Sequence, residues 1–150
     1  PERRPDGHNV AMTISPALDV FSLDNLYTMV NRPVEKPNAW VADFSDRKPE
    51  ITVQWKEIKT VNEITLFLDS DFDHPMETVQ WGHYDDKMPF CVDSIAVYDE
   101  DSKLIAEVNG NYQTIVKIVL KQTVKTSKLT LKLSNSSEEV PVSLFNILIK

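Results

Sequence analysis

"SKLTLKLS", residues 127–134, alternates without a break: Leu129, Leu131 and Leu133 fall on one face, Thr130 and Lys132 on the other. A period of two marks a strand with one face buried, because successive side chains of an extended chain point to opposite sides. The same period runs through "ITVQW" (51–55), which sets Ile51, Val53 and Trp55 against Thr52 and Gln54. It returns over 62–68, where Ile64, Leu66 and Leu68 oppose Thr65 and Phe67. "SIAVY" (94–98) leads through the polar turn DEDS into KLIAEV, a hairpin by its turn chemistry. Asn109-Gly110 then separates KLIAEV from NYQTIVKIVL and predicts a second hairpin, since both residues tolerate the positive φ of a type I′ turn. VSLFNILIK closes the chain as a further strand. Six to eight strands at short spacing predict an all-β chain, an antiparallel β-sandwich or jelly roll. At most one short helix is expected, over 22–30 with Ser22 as its cap.

The bulk numbers set limits on function. At 150 residues the chain is long enough for one sizeable core, and 41% hydrophobic with 26% charged residues is ordinary for a globular domain. No apolar run approaches the length of a membrane-crossing helix. A net charge of −7 argues against a nucleic-acid partner, which calls for clustered Lys and Arg. One cysteine, Cys91, excludes an internal disulfide framework. The three glycines, Gly7, Gly82 and Gly110, have neither dinucleotide-fingerprint nor phosphate-loop spacing, and no serine sits in a G-x-S-x-G elbow. The chain starts at Pro1, as expected of a processed chain or a piece of a longer protein. Residues 1–9 read as a tether and 10–150 as one β domain.

The least strand-like stretch is "LDSDFDHPMETVQWGHYDDKMPF" (68–90). Asp69, Asp71 and Asp73 occupy the first, third and fifth places of an EF-hand template. The sixth place holds His74 instead of Gly and the twelfth Gln80 instead of Glu, so an EF-hand is excluded. Three carboxylates on one strand face would repel one another and welcome a cation; a solvated loop with Asp side chains capping turns is the plainer reading. His74, His83 and Cys91 lack the tight ligand pair of a zinc site. Cys91 lies at an apolar strand start and reads as a buried structural thiol. Trp81, Tyr84 and Trp40 fall in or beside polar stretches, where an aromatic face can stack on a sugar ring; plugging the end of a sandwich is the alternative for each.

Residues 31–43 (NRPVEKPNAWVAD), the strands over 51–68 and "YDEDSKLIAEVNGNYQT" resemble, in their order, the galactose-binding-like β-sandwich of discoidin and coagulation-factor C-type domains. More narrowly, DFDHPME followed by Gly-His and MPFCV resembles the C-terminal accessory domain of bacterial FAD-dependent oxidoreductases, as in Bacteroidetes. The broad resemblance implies ligand binding by loops at one end of the sandwich, here residues 31–40, 71–88 and 135–139. It also implies a structural calcium, held by an Asp-Gly pair in the first loop and a Glu near the end of the last strand. Val30-Asn31 and Asn146 stand at those places, a departure from the pattern. An extracellular or periplasmic location follows from the resemblance as well.

The resulting expectation is a non-catalytic module with no cofactor of its own, which binds a glycan or docks onto the catalytic part of its parent protein. Trp81, His83 and Tyr84 would stack and hydrogen-bond, Asp71, Asp73 and His74 would fix hydroxyls or shape the loop, and Trp40 and Arg32 would join from the neighbouring loop. The alternative is a metal- or carboxylate-dependent hydrolase, which needs converging carboxylates and histidines in a pocket.

Overall fold

A computed structural model of the chain describes residues 13–16, 19–32, 34–69 and 91–150. Among these, six strands form one antiparallel hydrogen-bonded sheet: β1 (Trp40–Val41), β2 (Glu50–Leu68), β3 (Val92–Tyr98), β4 (Leu104–Val108), β5 (Ile115–Asn135) and β6 (Ser143–Ile149). The order across the sheet is β1-β6-β2-β5-β3-β4. The tether expected over residues 1–9 lies outside the described residues.

β2 and β5 carry the architecture. Each joins two segments that the sequence presents as separate strands: 51–55 with 62–68 in β2, and 115–120 with 127–134 in β5. They pair as one long ribbon whose register shifts between Gln54 and Lys59 and again between Val61 and Glu63. The shifts come from unequal runs, 55–58 against 127 and 62 against 120–123, and an odd excess moves the inward set to the other parity, as the burial pattern records. In β2 the buried set passes from Ile51 and Val61 to Ile64, Leu66 and Leu68; in β5 it passes from Val116, Ile118 and Leu120 to Leu129, Leu131 and Leu133. Thr126, fully buried, braces the irregular part of β5. Its hydroxyl donates to the Lys128 carbonyl at 2.7 Å and accepts from the N–H groups of Lys128 and Glu100.

The two halves of the ribbon belong to two layers. One half pairs with β3, which pairs with β4 (Val97 opposite Leu131 and Ala106). The other half pairs with β6, which pairs with β1 (Leu68 opposite Leu144, and Leu144 opposite Trp40). Inward side chains of both layers form a single apolar core. The sandwich read from the alternation is therefore present, with its two layers sharing their longest strands.

One local expectation is corrected and one is sharpened. The Asn109-Gly110 turn forms, with Gly110 at φ +68°, but it does not close a hairpin: β3 lies between β4 and β5. The chain instead crosses from one layer to the other, pinned where the Asn111 N–H donates to the Asp93 carbonyl and its side-chain amide to the Val92 carbonyl. The helix allowed over 22–30 is a single 3-10 turn, Leu23–Tyr27, and Ser22 makes no side-chain cap bond to it.

Connectivity gives the sandwich two unlike poles. Links 42–49, 109–114 and 136–142 all pass between layers at the same end, where β2 also ends and β3 begins, as the pairing of the strand ends shows. At the opposite pole lie the bend of the β2–β5 ribbon and the 99–103 turn, where the Glu100 carboxylate accepts from both the backbone and the hydroxyl of Ser127.

Candidate functional site

The crossover pole gathers polar groups that the sequence disperses. Leu68 and Leu144 point inward, so their neighbours Asp69 and Ser143 point out, next to each other across the β2–β6 pair. Ser143 Oγ donates to Asp69 Oδ2 at 3.1 Å. Val41, opposite Ser143, extends the row, and the Val41 N–H donates to the Phe21 carbonyl, which fixes the segment bearing that ring. These residues, with Ala39 and Pro141, line an open cleft of about 350 Å³. Phe21 is 46% exposed, so an apolar ring face stands near a carboxylate and a hydroxyl. Such a cleft offers one surface for stacking and acceptors for hydroxyl groups, the combination that fixes a small polar ligand in a mostly apolar site.

A smaller cleft, about 130 Å³, adjoins it across residues 140–141. Asn135 shapes the dividing wall by donating through Nδ2 to the Val140 and Pro141 carbonyls, both at 3.2 Å. On the far side, Arg47 donates to the Glu138 carbonyl at 2.9 Å, with its guanidinium 5.9 Å from the Phe44 ring centre. Its carboxylate partner Glu138 is 3.9 Å away and both side chains are largely exposed, so this pair orders the rim and adds little stability.

The residues expected from the sequence are distributed unevenly. Asp71, Asp73, His74, Trp81, His83 and Tyr84 lie outside the described residues. Residues 135–139 do belong to the crossover pole. Trp40 is part of the core at 9% exposure, in the position of a plug and not of an open stacking platform. Arg32 lies in the segment before β1, where its carbonyl accepts from the Asn38 amide and the adjacent Asn31 lies against Asn146, inside β6. Phe21 and Ser143 were not among the expected residues. The one local signal for Phe21 was its position as an apolar residue just before the helix-start signal at Ser22.

The Asp/His loop on which the alternative of a hydrolytic centre rested lies, beyond Asp69, outside the described residues. Among the described residues, no three His, Cys, Asp or Glu side chains come together as a metal ion would need. Cys91 is buried, and burial with the nearby Asp69 carboxylate pushes its thiol up to about 11, so it is protonated at neutral pH and is no nucleophile. This matches the structural thiol read from the sequence.

No family model and no curated protein matches the chain. Solved structures do. A family 32 carbohydrate-binding module from Streptococcus pneumoniae EndoD superposes with a TM-score of 0.66 at 12% identity, over 92% of this chain and 90% of that one. The fold is the galactose-binding-like β-sandwich. CpGH89CBM32-6 from Clostridium perfringens shares the galactose-binding-like fold with a TM-score of 0.58 at 14% identity, over 90% and 88% of the two chains. A chitosan-binding module of a Paenibacillus sp. IK-5 chitosanase/glucanase matches with 0.59 at 10% identity, over 88% and 86%. The narrower likeness to accessory domains of FAD-dependent oxidoreductases finds no support in these neighbours.

Proposed function

We propose that this galactose-binding-like domain is a non-catalytic carbohydrate-binding module that takes a glycan at its crossover pole. The observation that carries the reading is the cleft itself, with an exposed Phe21 face beside the Asp69 carboxylate and Ser143 hydroxyl on a fold shared with carbohydrate-binding modules. Phe21 stacks on the apolar face of a sugar ring, and Asp69 accepts from its hydroxyls. Both groups are held by backbone pairing, so little ordering cost falls on binding. An extracytoplasmic setting, where such glycans are found, belongs to the same proposal.

Isothermal titration against galactose, fucose, N-acetylglucosamine and chitosan oligosaccharides tests it. One of these should bind, and Phe21→Ala and Asp69→Asn should each weaken it about tenfold or more, the loss expected for a charged hydrogen bond or a stacked face. Binding unchanged in both variants would move the site off this cleft, and no binding to any member of a broad glycan array would sink the reading. A second reading, docking onto another part of a parent protein, has its support in the exposed apolar side chains of Leu23, Tyr27, Met29 and Val34.

A further inference from the structure

The segment between the 3-10 turn and β1 is where the resemblance places a structural calcium, and side-chain amides hold it together here. Asn146, 1% exposed within β6, donates through Nδ2 to Asn31 Oδ1 at 2.7 Å. Asn38, 7% exposed, donates through Nδ2 to the carbonyls of Arg32 at 2.8 Å and Val30 at 3.5 Å. Asn25 spends both amide protons in the same way, on the carbonyls of Val20 and Ala39, each at 2.8 Å. Carbonyl oxygens only accept, so the partners of Asn38 and Asn25 fix which end of each amide faces them.

These residues do not fit calcium. The ion takes six to eight oxygens whose lone pairs converge on it. In this loop the Val30 and Arg32 carbonyls and the Asn31 side-chain oxygen each meet an N–H proton, the positive end of an amide dipole. Charge argues the same way. The place at which the pattern calls for Glu is the neutral Asn146, so a dication buried beside it would lack a compensating carboxylate there. We propose that this loop is a metal-free cradle, in which the amide protons of Asn38 and Asn146 occupy the electrostatic place of the cation.

The test compares the protein in EDTA with the protein in millimolar calcium, by thermal melting and by nitrogen-15 NMR of the side-chain amides. The Asn25, Asn38 and Asn146 cross-peaks should not move when calcium is added, whatever calcium does elsewhere in the chain. Asn38→Asp replaces two donors by a carboxylate facing two carbonyls; its melting temperature in EDTA should fall by several degrees, and calcium should restore part of the loss. Movement of the three wild-type cross-peaks on adding calcium would overturn the proposal. So would an Asn38→Asp variant as stable in EDTA as the wild type.

Discussion

Asn111 shows how much one side chain can settle at a crossover. Its Nδ2 donates to the Val92 carbonyl at 2.7 Å and the Gln113 carbonyl at 3.2 Å, while Oδ1 accepts from the Gln113 N–H at 3.0 Å. The residue is buried, so no water is ready to replace these partners once the amide is removed. Asn111→Ala should therefore lower stability by about 1–3 kcal/mol, the usual cost of orphaned buried polar groups, read as a lower urea midpoint. The preceding Asn-Gly pair was legible as a turn, because positive φ at Gly110 is a local requirement. Its role as a crossover was not. Turn chemistry says that the chain reverses and is silent about which strand lies alongside. The cleft was hidden for a related reason: Phe21, Val41, Asp69 and Ser143 are far apart in sequence and meet only through strand pairing.

At the level of strands, the alternation over 127–134 and 62–68 was read correctly down to individual faces, since a half-buried strand imposes it directly. The polar stretches that separate those segments from their partners were less informative. KEIKTV in β2 and KQTVKTS in β5 read as gaps, yet they form the bend where the ribbon leaves one layer for the other, with most side chains in solvent. The bend is tied to the 99–103 turn by Glu100, whose carboxyl is held below its ordinary range by the hydrogen bonds from Ser127. Glu63, nearer the C-terminal end of β2, is held down mainly by Lys117, at 2.7 Å, with help from Lys150. A carboxyl with a depressed folded pKa binds its proton more readily in the unfolded chain. Its contribution is present above the usual carboxylate range and fades as pH falls through the folded value. The melting temperature should therefore hold near neutrality and drop below about pH 4. Glu100→Gln should flatten part of that acid slope, as melts at stepped pH would show.

Across the whole molecule, shared strands make separate melting of the two layers unfavourable. Leu131 in one half of β5 and Leu66 beside the other half contribute to the same core, and both are fully buried. Leu131→Ala should cost about 2–5 kcal/mol, as large-to-small changes in packed cores do. Native-state hydrogen exchange should show the slowest amides of β2, β3, β5 and β6 opening together, and the mutation should accelerate them by a common factor. Slow exchange surviving in one layer while the other opens would show two cooperative units instead.

The unequal poles have a consequence for variation. The connections 42–49, 109–114 and 136–142 emerge on one side, while the bend of the β2–β5 ribbon lies at the other. Lengthening a surface link costs little entropy, growing only with the logarithm of its length. New loops can therefore be grafted onto the open rim one at a time, with the hinge that aligns the layers left untouched. A library randomised at 42–49 and 136–142 should keep its fold far more often than one randomised at 55–61 and 120–127, which makes this chain a frame whose open rim can be rewritten independently of its support.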